Sequence, residues 1–188
     1  MMNTPNKLTL LRVLLIPLFM LCFLQGEAAG LYLAILVFLI ATATDNLDGH
    51  LARKYNQVTT FGKLMDPLAD KLLITAALVC FLAKDCLYIN VWVVMVILAR
   101  ELIVTGIRMI ALGDAKVIAA SMWGKAKTVS QFIMVVLVMV NEIIFLHIDG
   151  GVMVYNYFVL LSVVVATALT IFSGIDYAVK NRNLIQFK

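Results

Sequence analysis

The chain alternates between long apolar runs and short polar interruptions. Apolar stretches run from Leu8 to Leu24, Leu31 to Thr44, Gly62 to Ala83, Leu87 to Ile110, Lys127 to Leu146 and Val152 to Val179. Turn formers separate them: GEAAG, KDC, GDAK and HIDGG. A helix that crosses a bilayer needs roughly 20 mostly apolar residues, so the pattern predicts six membrane helices. The second run is short. Its helix is therefore expected to continue into the polar stretch that follows, DNLDGHLARKYNQVTTFGKLMDPLAD, Asp45 to Asp70. Lys7 and Arg12, then VLLIPLFMLCFL, then GEAAG, have the outline of a secretory signal. The apolar face extends back through Leu8, Leu10 and Leu11, which favours a first membrane helix instead.

Composition agrees. The 188 residues are 63% hydrophobic and 14% charged, whereas a soluble domain carries about 25% charge. The expected fold is an all-α integral membrane bundle of six helices, one domain over residues 1–188, with no room for a separate soluble domain. Six crossings place all but Lys84 of the 15 basic residues on one side. The positive-inside rule makes that side cytoplasmic, with both termini and the aspartate stretch. The protein is thus expected in the cytoplasmic membrane, as a multi-pass chain. The basic residues are scattered rather than clustered, so the net charge of +4 does not point to nucleic acid. Arg12, Arg100, Glu101 and Arg108 fall within or beside spans. Charges there must snorkel, pair or line a wet space, which predicts a polar cavity open to the cytoplasmic side. The three cysteines, Cys22, Cys80 and Cys86, show no metal-ligand spacing and read as packed thiols.

The aspartates carry the chemistry. Asp45 and Asp48 are three residues apart, and Asp66 and Asp70 four apart. On helices, either spacing puts a pair on one face. The first pair ends the second span and the second opens the third, so two antiparallel helices can aim four carboxylates at one point. Pro67 fits if the third helix begins near Gly62 or Lys63, because proline is tolerated in a first turn. Four carboxylates need positive charge among them, and all-oxygen donors suit hard cations such as Mg²⁺, Mn²⁺ or Ca²⁺. His50 lies on a different helical face. Gly49 and Gly62 permit close approach of a ligand. With Ala52 and Arg53 beside them, the group suits a phosphate-bearing substrate.

The pattern Asp45-x-x-Asp48-Gly49-x-x-Ala52-Arg53, then eight residues, then Gly62-x-x-x-Asp66-x-x-x-Asp70, resembles the motif of the CDP-alcohol phosphatidyltransferase family at every defining position. The resemblance implies transfer of a phosphatidyl or similar group from a CDP-linked donor to an alcohol, with release of CMP. It implies that Asp45, Asp48, Asp66 and Asp70 hold divalent cations, two Mg²⁺ or Mn²⁺, and that Asp70 is the general base. Asp48, Gly49, Ala52, Arg53 and Gly62 would cradle the CDP donor, and the family resemblance implies a homodimer.

NKLTLLRVLLIP, ARELIVTGIR and GKAKTVSQ resemble members that take CDP-diacylglycerol as donor and sn-glycerol 3-phosphate as acceptor. By that likeness Asn6 and Thr9 help bind the nucleotide, or else cap the first helix. Arg100, Arg108, Lys125 and Lys127 would hold the acceptor's phosphate, with Arg100 paired to Glu101, or would serve as topology anchors. Serine, phosphatidylglycerol and inositol phosphate stay open as acceptors. A metal or ion transporter is the alternative from another class, since intramembrane carboxylates also mark ion pathways. The absence of an internal repeat and the placing of the aspartates at helix ends weigh against it. Gly106, Gly113 and Gly124 are candidates for close helix approach.

Overall fold

The computed structural model describes the backbone at residues 4–54, 60–113, 121–148 and 151–181, and side chains at 10–44, 71–108, 111, 121–148 and 151–181. The protein is all-α, with six helices: α1 (Thr4–Gln25), α2 (Ala28–Lys54), α3 (Thr60–Ala83), α4 (Val91–Gly113), α5 (Met122–His147) and α6 (Met153–Lys180). Each falls on an expected span and starts or stops within about five residues of it, except that α2 runs ten residues past Thr44 into the polar stretch, as expected. In hydrocarbon every backbone N–H and C=O must find its partner inside the chain, which helices achieve. Among the described residues, α5 and α6 are long and apolar enough to cross a membrane, and Leu10–Gln25, Ala28–Thr44 and Lys71–Ala83 form shorter apolar segments.

The interruptions have local causes. Gly26 adopts a φ of 75°, a left-handed turn that ends α1. Asp85 and Tyr88 have φ values of 50° and 65° between α3 and α4. Asn90 Oδ1 accepts the Val93 N–H at 3.0 Å and so caps the start of α4. Ser121 Oγ accepts the Gly124 N–H at 3.1 Å and does the same for α5.

The chain divides into two compact units, Met1–Cys86 with Glu142–Gly150, and Leu87–Asn141 with Gly151–Lys188. In the first, α1 packs on both α2 and α3. Its centre is aromatic. Phe19, Phe23, Phe38 and Phe81 are fully buried, with ring centroids 5.9 Å apart for Phe19 and Phe38, and 5.3 Å for Phe23 and Phe81. Close approach of α1 and α2 depends on Gly30, where an added Cβ would stand 2.6 Å from the Cys22 carbonyl oxygen. All three cysteines are buried, as packed thiols should be. Cys86, in the turn after α3, hydrogen-bonds Glu142. Burial first, and then the negative charge of Glu142, push its thiol well above the ordinary range.

In the second unit, α5 and α6 run antiparallel. Tyr155 Oη donates to the Leu137 carbonyl at 3.2 Å, Gln131 Nε2 donates to Thr170 Oγ1 at 3.0 Å, and Trp123 packs edge-on against Phe172 at 4.7 Å. Helix α4 packs on α6. Arg100 lies over Gly174, where an added Cβ would meet its Cγ at 3.0 Å. Gly106, by contrast, has nothing within 4 Å of such a Cβ, so it is not a point of close approach within the described residues.

Candidate active site

Each helix carries a buried stripe at alternating spacings of three and four. On α2 it runs through Leu31, Ala34, Phe38 and Ala41. The helix continues unbroken to Lys54. The same spacing carried forward reaches positions 45, 48 and 52, so Asp45, Asp48 and Ala52 stand on the register of the buried stripe. On α3 the stripe is Leu73, Ala77 and Cys80. Carried backward, it reaches positions 70 and 66, the other two aspartates. Both pairs therefore occupy core registers at helix ends.

The side chains of Asp45, Asp48, Asp66 and Asp70, with those of Gly49, Ala52, Arg53, Gly62, Asn6 and Thr9, lie outside the described residues. Their helices are described. Helix α3 starts at Thr60, earlier than expected, which puts Pro67 in the second turn rather than the first. Proline lacks the N–H that would bond the carbonyl four residues earlier, so the segment that bears Asp66 and Asp70 carries a weakened helix ladder. Helix α1 starts at Thr4, so Asn6 and Thr9 sit within it and neither is its N-cap. Farther along α1, Arg12 belongs to the stripe of Ile16, Phe19 and Phe23 and is 1% exposed.

Cations gather in the second unit. On α4 the stripe of Val94, Ile97, Val104 and Ala111 is buried, and Glu101 and Arg108 fill the remaining registers of that spacing. Glu101 takes two partners: Arg100 Nη1 donates to its Oε1 at 3.2 Å, and Lys127 Nζ donates to the same oxygen. Lys127 is 3% exposed. The Arg100–Glu101 pair was expected from sequence; the link to Lys127 was not. Farther along α5 and α6, Gln131, Thr170 and Ser173 are polar and buried. The guanidinium carbon of Arg108 stands 5.5 Å from the centroid of the Tyr177 ring. Lys125 is exposed. Of the four expected cations, two are thus tied to one carboxylate and two are presented outward.

Among the described residues no group of three or more His, Cys, Asp or Glu side chains could hold a metal. The set expected from the sequence is the two aspartate pairs on α2 and α3. It offers carboxylate oxygens only, with no imidazole or thiolate, which fits a hard divalent cation and not zinc.

The chain matches the CDP-alcohol phosphatidyltransferase family over residues 2–173. It belongs to this family of membrane-embedded enzymes. It is 42% identical to a Bacillus subtilis protein named CDP-diacylglycerol–glycerol-3-phosphate 3-phosphatidyltransferase, over 96% of each chain. A Haemophilus influenzae protein of the same name is 35% identical over 93% of this chain and 91% of its own. One from Escherichia coli K12 is 40% identical over 70% of this chain and 73% of its own.

Proposed function

We propose that the chain transfers the phosphatidyl group of CDP-diacylglycerol to sn-glycerol 3-phosphate, giving phosphatidylglycerophosphate and CMP in phospholipid biosynthesis. The observation that carries this reading is the register of the aspartates. Both pairs continue buried stripes at helix ends, which is where a carboxylate clamp for a lipid pyrophosphate belongs. The names and high coverage of the relatives support the donor and the acceptor.

In this reading Asp45, Asp48, Asp66 and Asp70 hold divalent cations, two Mg²⁺ with Mn²⁺ able to replace them. When bound, such ions orient the pyrophosphate and neutralise its charge. Asn6, Thr9, Asp48, Gly49, Ala52, Arg53 and Gly62 hold the CDP portion. Asp70 takes the proton from the free primary hydroxyl of the acceptor. The oxygen so released attacks the phosphatidyl phosphorus, and the bond from that phosphorus to the CMP oxygen breaks. CMP leaves with the bonding electrons. Arg108 and Lys125 meet the acceptor's phosphate directly. Arg100 and Lys127, sharing Glu101, leave one net positive charge behind them.

The whole chain acts as one membrane domain that crosses the bilayer six times. Both termini and a polar cavity face the cytoplasm, and two copies form a homodimer. The acyl chains of the donor remain in the bilayer while its head group reacts.

The test is CMP release by the purified protein with CDP-diacylglycerol, Mg²⁺ or Mn²⁺, and a panel of acceptors. Release with glycerol 3-phosphate is expected. Release with serine, phosphatidylglycerol or inositol phosphate in its place would overturn the acceptor. Release with none of them would overturn the whole reading.

A further inference from the structure

Tyr177 lies near the end of α6, beyond the residues that match the family. It ends the buried stripe of Val159, Val163, Ala166, Thr170 and Ser173. Its side chain is 3% exposed and packs with Val104 and Ile107 of α4. The hydroxyl is buried and has no hydrogen-bond partner among the described residues. No described hydrogen bond explains this residue, so its ring is what the surroundings use. That ring faces the Arg108 guanidinium at 5.5 Å.

Arg108 is exposed and makes no ion pair among the described residues. Asp176, next to Tyr177 in sequence, is paired with Lys180 at 2.7 Å. A guanidinium held over an aromatic ring by its charge still has an N–H edge available to an anion. That edge is the part that recognises a phosphate in a planar, two-pronged way.

We propose that Tyr177 is a positioning residue that holds Arg108 for the phosphate of the acceptor, and so helps the enzyme select a phosphorylated alcohol. This rests on the function proposed above. The experiment measures the KM of purified enzyme for glycerol 3-phosphate and, separately, for CDP-diacylglycerol. Tyr177→Leu should raise the acceptor KM by about three- to thirty-fold, the range open to a cation–π contact that is partly desolvated, and leave the donor KM in place. Tyr177→Phe, which keeps the ring, should restore the acceptor KM. In a double-mutant cycle with Arg108→Gln, the two effects on acceptor KM should not add.

An equal change in both KM values, or a Phe variant as impaired as Leu, would overturn the proposal. If Tyr177→Leu does not fold, fluorinated phenylalanines at position 177 decide the matter. They keep the shape of the ring and withdraw charge from its face, so acceptor KM should climb with each fluorine, and no trend would overturn the idea. The wild-type enzyme is the control for the reading beneath. Failure of wild type to release CMP with glycerol 3-phosphate sinks the function, whereas a working wild type with indifferent Tyr177 variants sinks only this proposal.

Discussion

The two units solve the problem of charge in an apolar chain in opposite ways. In the first, the aspartates stand on core registers of α2 and α3, and the described part of each stripe is apolar, Leu31, Ala34, Phe38 and Ala41 on one and Leu73, Ala77 and Cys80 on the other. In the function proposed above, these like charges are balanced by bound cations. In the second, Glu101 already has Arg100 and Lys127 within the fold. In that proposal one region is completed by a ligand, whereas in the other Glu101 is already paired within the fold. Like charges left together point to a site; opposite charges closed on each other point first to stability.

The largest effects should come from the first region. Asp70→Asn should lower turnover by about 10²–10⁴-fold, the usual contribution of a positioned general base, with donor binding kept. Asp45→Asn and Asp66→Asn should instead weaken metal binding itself, read by Mn²⁺ titration with electron paramagnetic resonance. Equal loss of metal in all three would remove the distinction between base and ligand.

Next comes the triad. Glu101→Ala leaves Lys127 buried beside Arg100 without its carboxylate, and breaking such a pair costs about 3–5 kcal/mol. Thermal unfolding in detergent should show a clear loss, with Glu101→Gln milder. Unchanged melting of Glu101→Ala would mean that the second region is not held by its charges.

A pair of glycines gives a finer contrast. Gly30→Ala would drive a Cβ into the Cys22 carbonyl and should cost about 1–3 kcal/mol, as overpacking does. Gly106→Ala meets open space and should be neutral or stabilising by up to about 1 kcal/mol through helix propensity. The same melting curves check both.

The smallest effect concerns Cys86. Its folded thiol titrates above the ordinary value because of burial and then Glu142. As pH rises past the ordinary thiol range, the unfolded chain loses a proton that the folded chain keeps. Stability should therefore fall with alkalinity, and Cys86→Ser should flatten that slope. At neutral pH the thiol should resist maleimide. Rapid labelling in the folded state would contradict the burial of this turn.

The helices and the aspartate registers were legible because both are local. A run of apolar residues, a breaker and a spacing of three or four need no knowledge of the rest of the chain. The early start of α3, and with it the place of Pro67, was not: Thr59 is of a type that caps helices, but in the polar run KYNQVTT it does not single out the boundary. Partners distant in sequence were also hidden. Nothing near Glu101 announces Lys127, 26 positions away. Nor does any pattern say which face of a membrane helix is inward. Lipid is as apolar as a core, so Leu14, Leu18 and Leu21 are exposed while Phe19 and Phe23 are buried on the same helix. That is why Gly106 looked like a contact and Gly30 did not. Tyr177 escaped because a buried tyrosine in an apolar helix looks like packing until its ring is seen under Arg108.

Helix α2 has a consequence for how this enzyme meets its lipid. Its 27 residues span about 40 Å, of which the apolar part, Ala28–Thr44, accounts for about 25 Å. The hydrocarbon layer is about 30 Å thick. On that rise Asp45 and Asp48 come about 26 and 30 Å along from Ala28, at the edge of the hydrocarbon layer just beneath the head groups. A donor lipid at that level never has to be lifted from its leaflet. Its effective concentration is then a mole fraction in a surface, set by crowding among other lipids. The acceptor, arriving from water, follows ordinary bulk concentration. One catalytic step thus joins a two-dimensional supply to a three-dimensional one, and inert lipid added to the assay should slow the first without touching the second.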